Sequence, residues 1–275
     1  MAITRSTRPG QGHLRPRRLL VTGGSGFLGR HIVNRPASEG WEIVAPSSQA
    51  VDLRNAGSVS SFVGGWKPDA IIHAAYRRDD AGSIVDATRN VAEAAERNGA
   101  RLVHISTDAL FRGRLAPYRE IDEPTPIHDY GRFKAEAEAV VATTSPAAVI
   151  VRTSLIYGRH ELSLHELAVR DVISGRSQMM FFTDEFRSAV VVDDLARALV
   201  ELAGRTDLAG RLHLGGPEPL SRADLAIRTA RRHGWDESKL RFSTIEESGL
   251  RRPGRVVLDS SLATSHSLTV AAPPT

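Results

Sequence analysis

Two patterns in this chain pair residue types with chemistry. Gly23, Gly26 and Gly29 follow a G-x-x-G-x-x-G spacing, directly after the apolar run Leu19-Leu20-Val21-Thr22 and ahead of helical residues. A strand that turns through glycine into a helix brings backbone N–H groups against a diphosphate at the positive end of the helix dipole. An ordinary strand–helix turn looks the same, and placement after the first buried strand is what favours a dinucleotide loop. Tyr130 and Lys134 stand four apart, so a helix puts both on one face. An ammonium near a phenol favours phenolate and draws the tyrosine pKa towards neutrality. Such a phenol can give its proton to a carbonyl oxygen as hydride reaches the carbon, and the same lysine can hold a nicotinamide ribose. Alone, the pair is equally a surface tyrosine beside a solvated lysine. Its position changes the weighing, because it opens the helix after residues 102–107, a strand whose carboxyl end carries hydroxyls. Thr107 is the candidate third member, polarising the same oxygen, with Ser106 as the fallback.

The elements that must position these groups are legible in the apolar pattern. Runs 19–22, 42–45, 70–73, 102–106 and 149–152 are rich in Val, Ile and Leu without polar alternation, which suits a parallel sheet buried on both faces. Helical stretches lie between them, clearest at 84–98, which ends on Asn98-Gly99, and at 130–143. The expected fold is α/β, a doubly wound parallel (Rossmann) sheet with a smaller C-terminal α/β substrate domain and ligands at the carboxyl ends of the strands. Beyond Arg152 the pattern weakens: helices 163–174, 193–203 and 222–233, short strands 179–182, 190–192, 212–215 and 240–243, then a patternless, loose 265–275. The expected division is a disordered basic leader 1–17, a dinucleotide-binding domain of 18–155 plus 188–205, and a substrate-binding domain of 156–187 plus 206–275.

Composition narrows the function classes. The chain has 275 residues, 41% of them hydrophobic, enough for a sizeable core. No apolar run suits a membrane span, and the first residues lack the apolar core of a signal peptide. Cysteine is absent, which excludes disulfides, thiolate metal sites and cysteine catalysis; a cytoplasmic enzyme is the plain reading. The net charge of +4 is concentrated in Arg5, Arg8, Arg15, Arg17 and Arg18, while aromatics are only 5% and do not interleave with basic residues, so nucleic acid is not an expected partner. His73, His104, His128, His160 and His165 have no metal-ligand spacing and read as structural or exposed; no metal is expected. After the second strand, Pro46-Ser47-Ser48 replaces the acid that NAD enzymes usually place there. Ser47 and Ser48 could donate to a 2′-phosphate, with Arg30 or Arg54 supplying a cation, so NADP is favoured and NAD stays open. Arg187 offers a bidentate fork to a substrate pyrophosphate, or equally pairs with Asp184 or Glu185.

On these and further segments the chain resembles the extended short-chain dehydrogenases/reductases, and within them the dTDP-4-dehydrorhamnose reductase branch. The matching stretches are residues 21–29, Pro68-Asp69-Ala70-Ile71-Ile72-His73-Ala74-Ala75, Ile105-Ser106-Thr107-Asp108-Ala109-Leu110-Phe111 and Tyr130-Gly131-Arg132-Phe133-Lys134, then residues 151–158 and 252–261. The resemblance implies that Thr107, Tyr130 and Lys134 are the catalytic triad. It implies that Gly23, Ser25, Gly26, Phe27 and Leu28 hold the pyrophosphate, Asp52 and Leu53 the adenine, and Ala74, Ala75 and Tyr76 the adenosine ribose and nicotinamide side. Thr153 would close over the nicotinamide, with Ser154 and Leu155 beside it. Asp108, Leu155 and Arg187 are the expected substrate contacts. Two positions depart from the family pattern: Ile84 replaces an asparagine that supports a proton-relay water in many relatives, and Leu155 a tryptophan that packs on the sugar. The implied activity is NAD(P)H-dependent reduction of a keto group on a nucleotide-linked deoxysugar, by a chain that could form a homodimer. An epimerase or dehydratase of the same fold, or a non-catalytic NADP-binding regulatory subunit, are the alternatives.

Overall fold

The computed structural model describes residues 16–34, 40–159 and 161–271. Six parallel strands form the central sheet: β1 (Arg17–Thr22), β2 (Trp41–Val44), β3 (Ala70–His73), β4 (Arg101–Thr107), β5 (Val149–Thr153) and the strand Gly210–Leu214. Their spatial order runs from Gly210–Leu214 through β5, β4, β3 and β1 to β2. Chain order therefore reverses between β1 and β3, and a cleft opens there at the strands' carboxyl ends.

Both faces of the sheet are covered, as its unbroken apolar strands require. Leu19, Val21, Ile72, Val103 and Val151 pack with α1 (Phe27–Val33) and α6 (Val192–Ala203) on one side. Leu20, Ile71, Leu102 and Ile150 meet α2 (Ala56–Trp66), α3 (Ala87–Arg97) and Val141 of α4 (Asp129–Thr144) on the other. Burying each such side chain contributes about 1.5–3 kcal/mol.

Several sequence expectations change here. Most of the basic leader 1–17 lies outside the described residues, but Arg17 is the first residue of β1, pairing with Trp41 and lying 4.2 Å over its indole. Residues 210–214, expected in the smaller domain, extend the large sheet beside β5; Leu212 and Leu214 join its core, and the edge of β5 is satisfied. The helix expected at 84–98 begins as a π-turn over Gly82–Asp86, and Thr88 Oγ1 donates to the Ile84 carbonyl at 2.5 Å. The tail is not loose as far as residue 271: Leu268 is buried against Ala263, and Arg197 holds the Thr269 carbonyl at 2.6 Å.

The smaller part is built on α5 (Leu164–Ile173) and α7 (Arg222–Arg232), which pack through Val169, Val172, Ala226 and Ala230 around Phe181 and Leu240. Both helices start on capping boxes, Ser163 with Glu166 and Ser221 with Asp224. A short sheet of Leu220–Ser221, Phe186–Arg187 and Arg255–Val256 leads back towards the cleft.

Candidate active site

One cavity of about 990 Å³ runs from the glycine loop, past Ala74–Tyr76 and the end of β4, to the smaller part. Its near end is shaped by close approach. Gly23 has φ +74°, and a Cβ there would lie 2.8 Å from the Ala75 backbone. Gly26 closes the turn by donating to the Gly23 carbonyl at 2.9 Å. Gly23, Ser25, Gly26, Phe27 and Leu28 all line the cavity, as do Ser47, Asp52, Leu53, Ala74, Ala75, Tyr76 and Thr153. A glycine floor beneath an open cleft that continues to a phenol and an ammonium fits a nicotinamide dinucleotide in extended form. Ser47 is exposed, with no carboxylate beside it at the end of β2. Asp52 is tied to Arg54, whose guanidinium holds the carboxyl below its usual range. Arg30, the other proposed cation, is held by the Ser25 carbonyl at 2.8 Å and by Glu161. The Thr153 hydroxyl is spent on the Leu214 carbonyl at 2.7 Å.

Thr107, Tyr130 and Lys134 converge at mid-cavity. β4 delivers Thr107, whose Oγ1 caps the following turn by accepting from Ala109 N at 3.2 Å. Gly131 lets α4 press against the Ala109 carbonyl so closely that any Cβ would overlap it. That contact sets Tyr130 beside Thr107. Burial pushes the Tyr130 phenol well above its ordinary range; neighbouring Tyr76 adds to this, while a hydrogen bond with Thr107 and the charge of Arg78 oppose it. The Arg78 guanidinium lies 5.0 Å over the Tyr130 ring. Among the described residues no hydrogen bond joins Lys134 to the phenol. Its ammonium donates to the Ile105 carbonyl at 2.6 Å and, at 3.5 Å, to His104 Nε2. Burial draws its pKa down to about 8, with Glu138 opposing.

Beneath Lys134 lies a buried polar layer that the histidine spacing did not announce. Thr88 gives its proton to Ile84, so its oxygen accepts from His73 Nε2 at 3.1 Å; His73 Nδ1 then accepts from Thr22 at 2.7 Å. Burial, with the Lys134 charge adding, keeps His73 neutral at about 3 and pulls His104 well below its ordinary value. Farther along β5, Arg152 and Glu138 form a fully buried ion pair at 2.8 Å.

At the far end, Asp108 accepts from Ser154 Oγ at 2.5 Å, and Leu155 packs beside Tyr157 and Leu225. Burial raises the Asp108 carboxyl, against the opposing charge of Arg187. Arg187 is buried, and its donors are engaged by Glu185 at 3.1 Å, by Asp108 at 3.7 Å and by the carbonyls of Phe186, Pro253 and Gly254. His128, His165, Arg222 and Arg252 also line the cavity; Arg252 opens the stretch 252–261 that carries the family resemblance, whereas no local pattern marks the other three as site residues. His160 lies outside the described residues. No cluster of three or more metal-ligating side chains occurs among the described residues.

The family model described as the RmlD substrate binding domain matches residues 17–273. The dTDP-4-dehydrorhamnose reductase of Aggregatibacter actinomycetemcomitans is 31% identical over 76% of this chain and 77% of its own length. Methionine adenosyltransferase 2 subunit beta of Bos taurus is 30% identical over 89% of this chain and 81% of its own. Among solved structures, dTDP-4-dehydrorhamnose reductase from Bacillus anthracis in complex with NADP superposes with a TM-score of 0.84 at 26% identity, covering 94% of this chain and 95% of that one.

Proposed function

The chain belongs to the RmlD substrate-binding-domain family, and from that premise we propose that it is an NADPH-dependent oxidoreductase that reduces a keto group on a dTDP-type nucleotide-linked deoxysugar. The observation that carries this reading is the convergence of Thr107, Tyr130 and Lys134 in the cavity that begins at the glycine loop. NADPH, when bound, supplies the hydride. Tyr130 gives its proton to the substrate oxygen, and Thr107 donates a hydrogen bond to that oxygen as negative charge develops on it. Lys134, whose ammonium donates to the Ile105 carbonyl and His104, would hold the cofactor ribose. Ser47, with no acid beside it, suits a 2′-phosphate. The substrate end is closed by Asp108 and Leu155, from the ends of β4 and β5, and by the arginines of the smaller part. The cytoplasm, where NADPH is held reduced, is the proposed setting.

Purified protein incubated with NADPH and a panel of nucleotide-linked keto sugars should consume the cofactor in proportion to sugar reduced. Net consumption separates a reductase from an epimerase or dehydratase. A Tyr130→Phe variant that keeps native turnover would sink the assignment. A second reading rests on the similarity to the methionine adenosyltransferase subunit: a cofactor-binding regulatory chain. Bound NADPH with no turnover across the panel, and a stable complex with a partner enzyme, would favour it.

A further inference from the structure

Arg78, Arg187, Arg222 and Arg252 line the cavity, and the carboxylates acting on Arg222 are Glu185 and Asp108. The carboxylates are already committed: Glu185 to Arg252 and Arg187, Asp108 to Arg187 and Ser154. Arg222 forms no ion pair among the described residues, and its Nη1 donates to His165 Nδ1 at 3.1 Å. Burial pulls its pKa down to about 10, so it stays charged at neutral pH. A guanidinium has no lone pair to offer, so His165 Nδ1 is the acceptor in this contact. Burial, with Arg222 and Arg78 adding, holds His165 neutral at about 3, and its one ring proton therefore sits on Nε2. Arg222 is half-buried; Glu185 and Asp108 act on it only at longer range, with Arg252 and Arg187 opposing them, so its remaining donors are open to an anion in the cavity.

We propose that Arg222 and His165 form an oxyanion subsite, in which a phosphate or carboxylate oxygen of the substrate accepts from the spare N–H groups of Arg222 and from His165 Nε2. The subsite rests on reading this cavity as a substrate pocket, and it moves anion recognition away from Arg187, whose donors are spent. It exists only where α5 and α7 pack, since each helix brings one member. It also adjoins the reacting centre: Arg78, the other cation acting on His165, is the one lying over Tyr130.

The test uses the full chain loaded with NADPH, titrated calorimetrically with dTDP, inorganic pyrophosphate and glucuronate. Arg222→Gln should weaken binding of the responding probe by about 10- to 100-fold while NADPH affinity stays within about twofold. Arg222→Lys, which keeps the charge but not the fork, should recover part of the loss, and it replaces the glutamine variant if that melts early. Loss on dTDP and pyrophosphate assigns a phosphate oxygen; loss on glucuronate alone assigns a carboxylate. Native protein that binds none of the probes, or a variant that binds all three within about twofold of native, overturns the subsite. Turnover is not read here, so a missing reductase activity would remove the functional reading and leave the subsite standing.

Discussion

Replacing Lys134 by methionine should uncouple stability from activity, with a pH dependence that the structure sets. An ordinary lysine titrates at 10.5, whereas Lys134 does so at about 8 because burial disfavours its ammonium. At 1.36 kcal/mol per pH unit, that gap is worth about 3 kcal/mol. Between pH 8 and 10.5 the unfolded chain carries a proton here that the folded chain has lost, so native stability rises with pH across this window. Below pH 8 both states are protonated and the folded state bears the full penalty. Methionine removes the penalty but leaves the Ile105 carbonyl, now paired at 2.6 Å, without a donor, at a cost of about 1–3 kcal/mol. The variant should therefore match or exceed native stability by about 1 kcal/mol at pH 7. By pH 10.5 the native protein should have gained about 3 kcal/mol on it. Denaturant midpoints of both proteins from pH 7 to 10.5, with their slopes, give the difference directly, because groups common to both cancel. A stability difference that stays flat within about 0.5 kcal/mol across that range would refute the buried, weakly supported ammonium. The same variant should lose reduction at every pH.

Two other substitutions probe neighbouring parts of the site. Thr107→Val should lower kcat by about 100-fold with a small change in KM, since its hydroxyl acts on the developing oxyanion; steady-state kinetics check this, and an unchanged kcat would remove Thr107 from the chemistry. Glu138→Gln leaves Arg152, fully buried, without its counter-charge and should cost about 3–5 kcal/mol. It should also lower the Lys134 pKa further, because Glu138 is the group that raises it. A melting temperature unaffected by the change would contradict the pair's role.

What the sequence determined by itself was the frame and the chemistry. Five apolar runs without polar alternation specify a sheet buried on both faces, and the structure pairs them in parallel. The glycine spacing and the Tyr130–Lys134 pair are local patterns, readable because one turn or one helix face carries each. The helices after Ser163 and Ser221 are local in the same sense, and the structure starts each on a capping box of four residues. Tertiary structure decided everything that depends on residues distant in the chain. It placed 210–214 in the large sheet, because an open β5 edge needed a partner. It gave Lys134 the Ile105 carbonyl and His104 as partners, because only folding brings β4 under α4. It spent Arg187 on Glu185 and three carbonyls, and left Arg222, unremarkable as a letter in a helix, half-buried in the cavity with His165 rather than a carboxylate as its hydrogen-bond partner. Covalent neighbours set backbone shape, but charge compensation in a low-dielectric cavity is a property of whichever side chains the fold brings together.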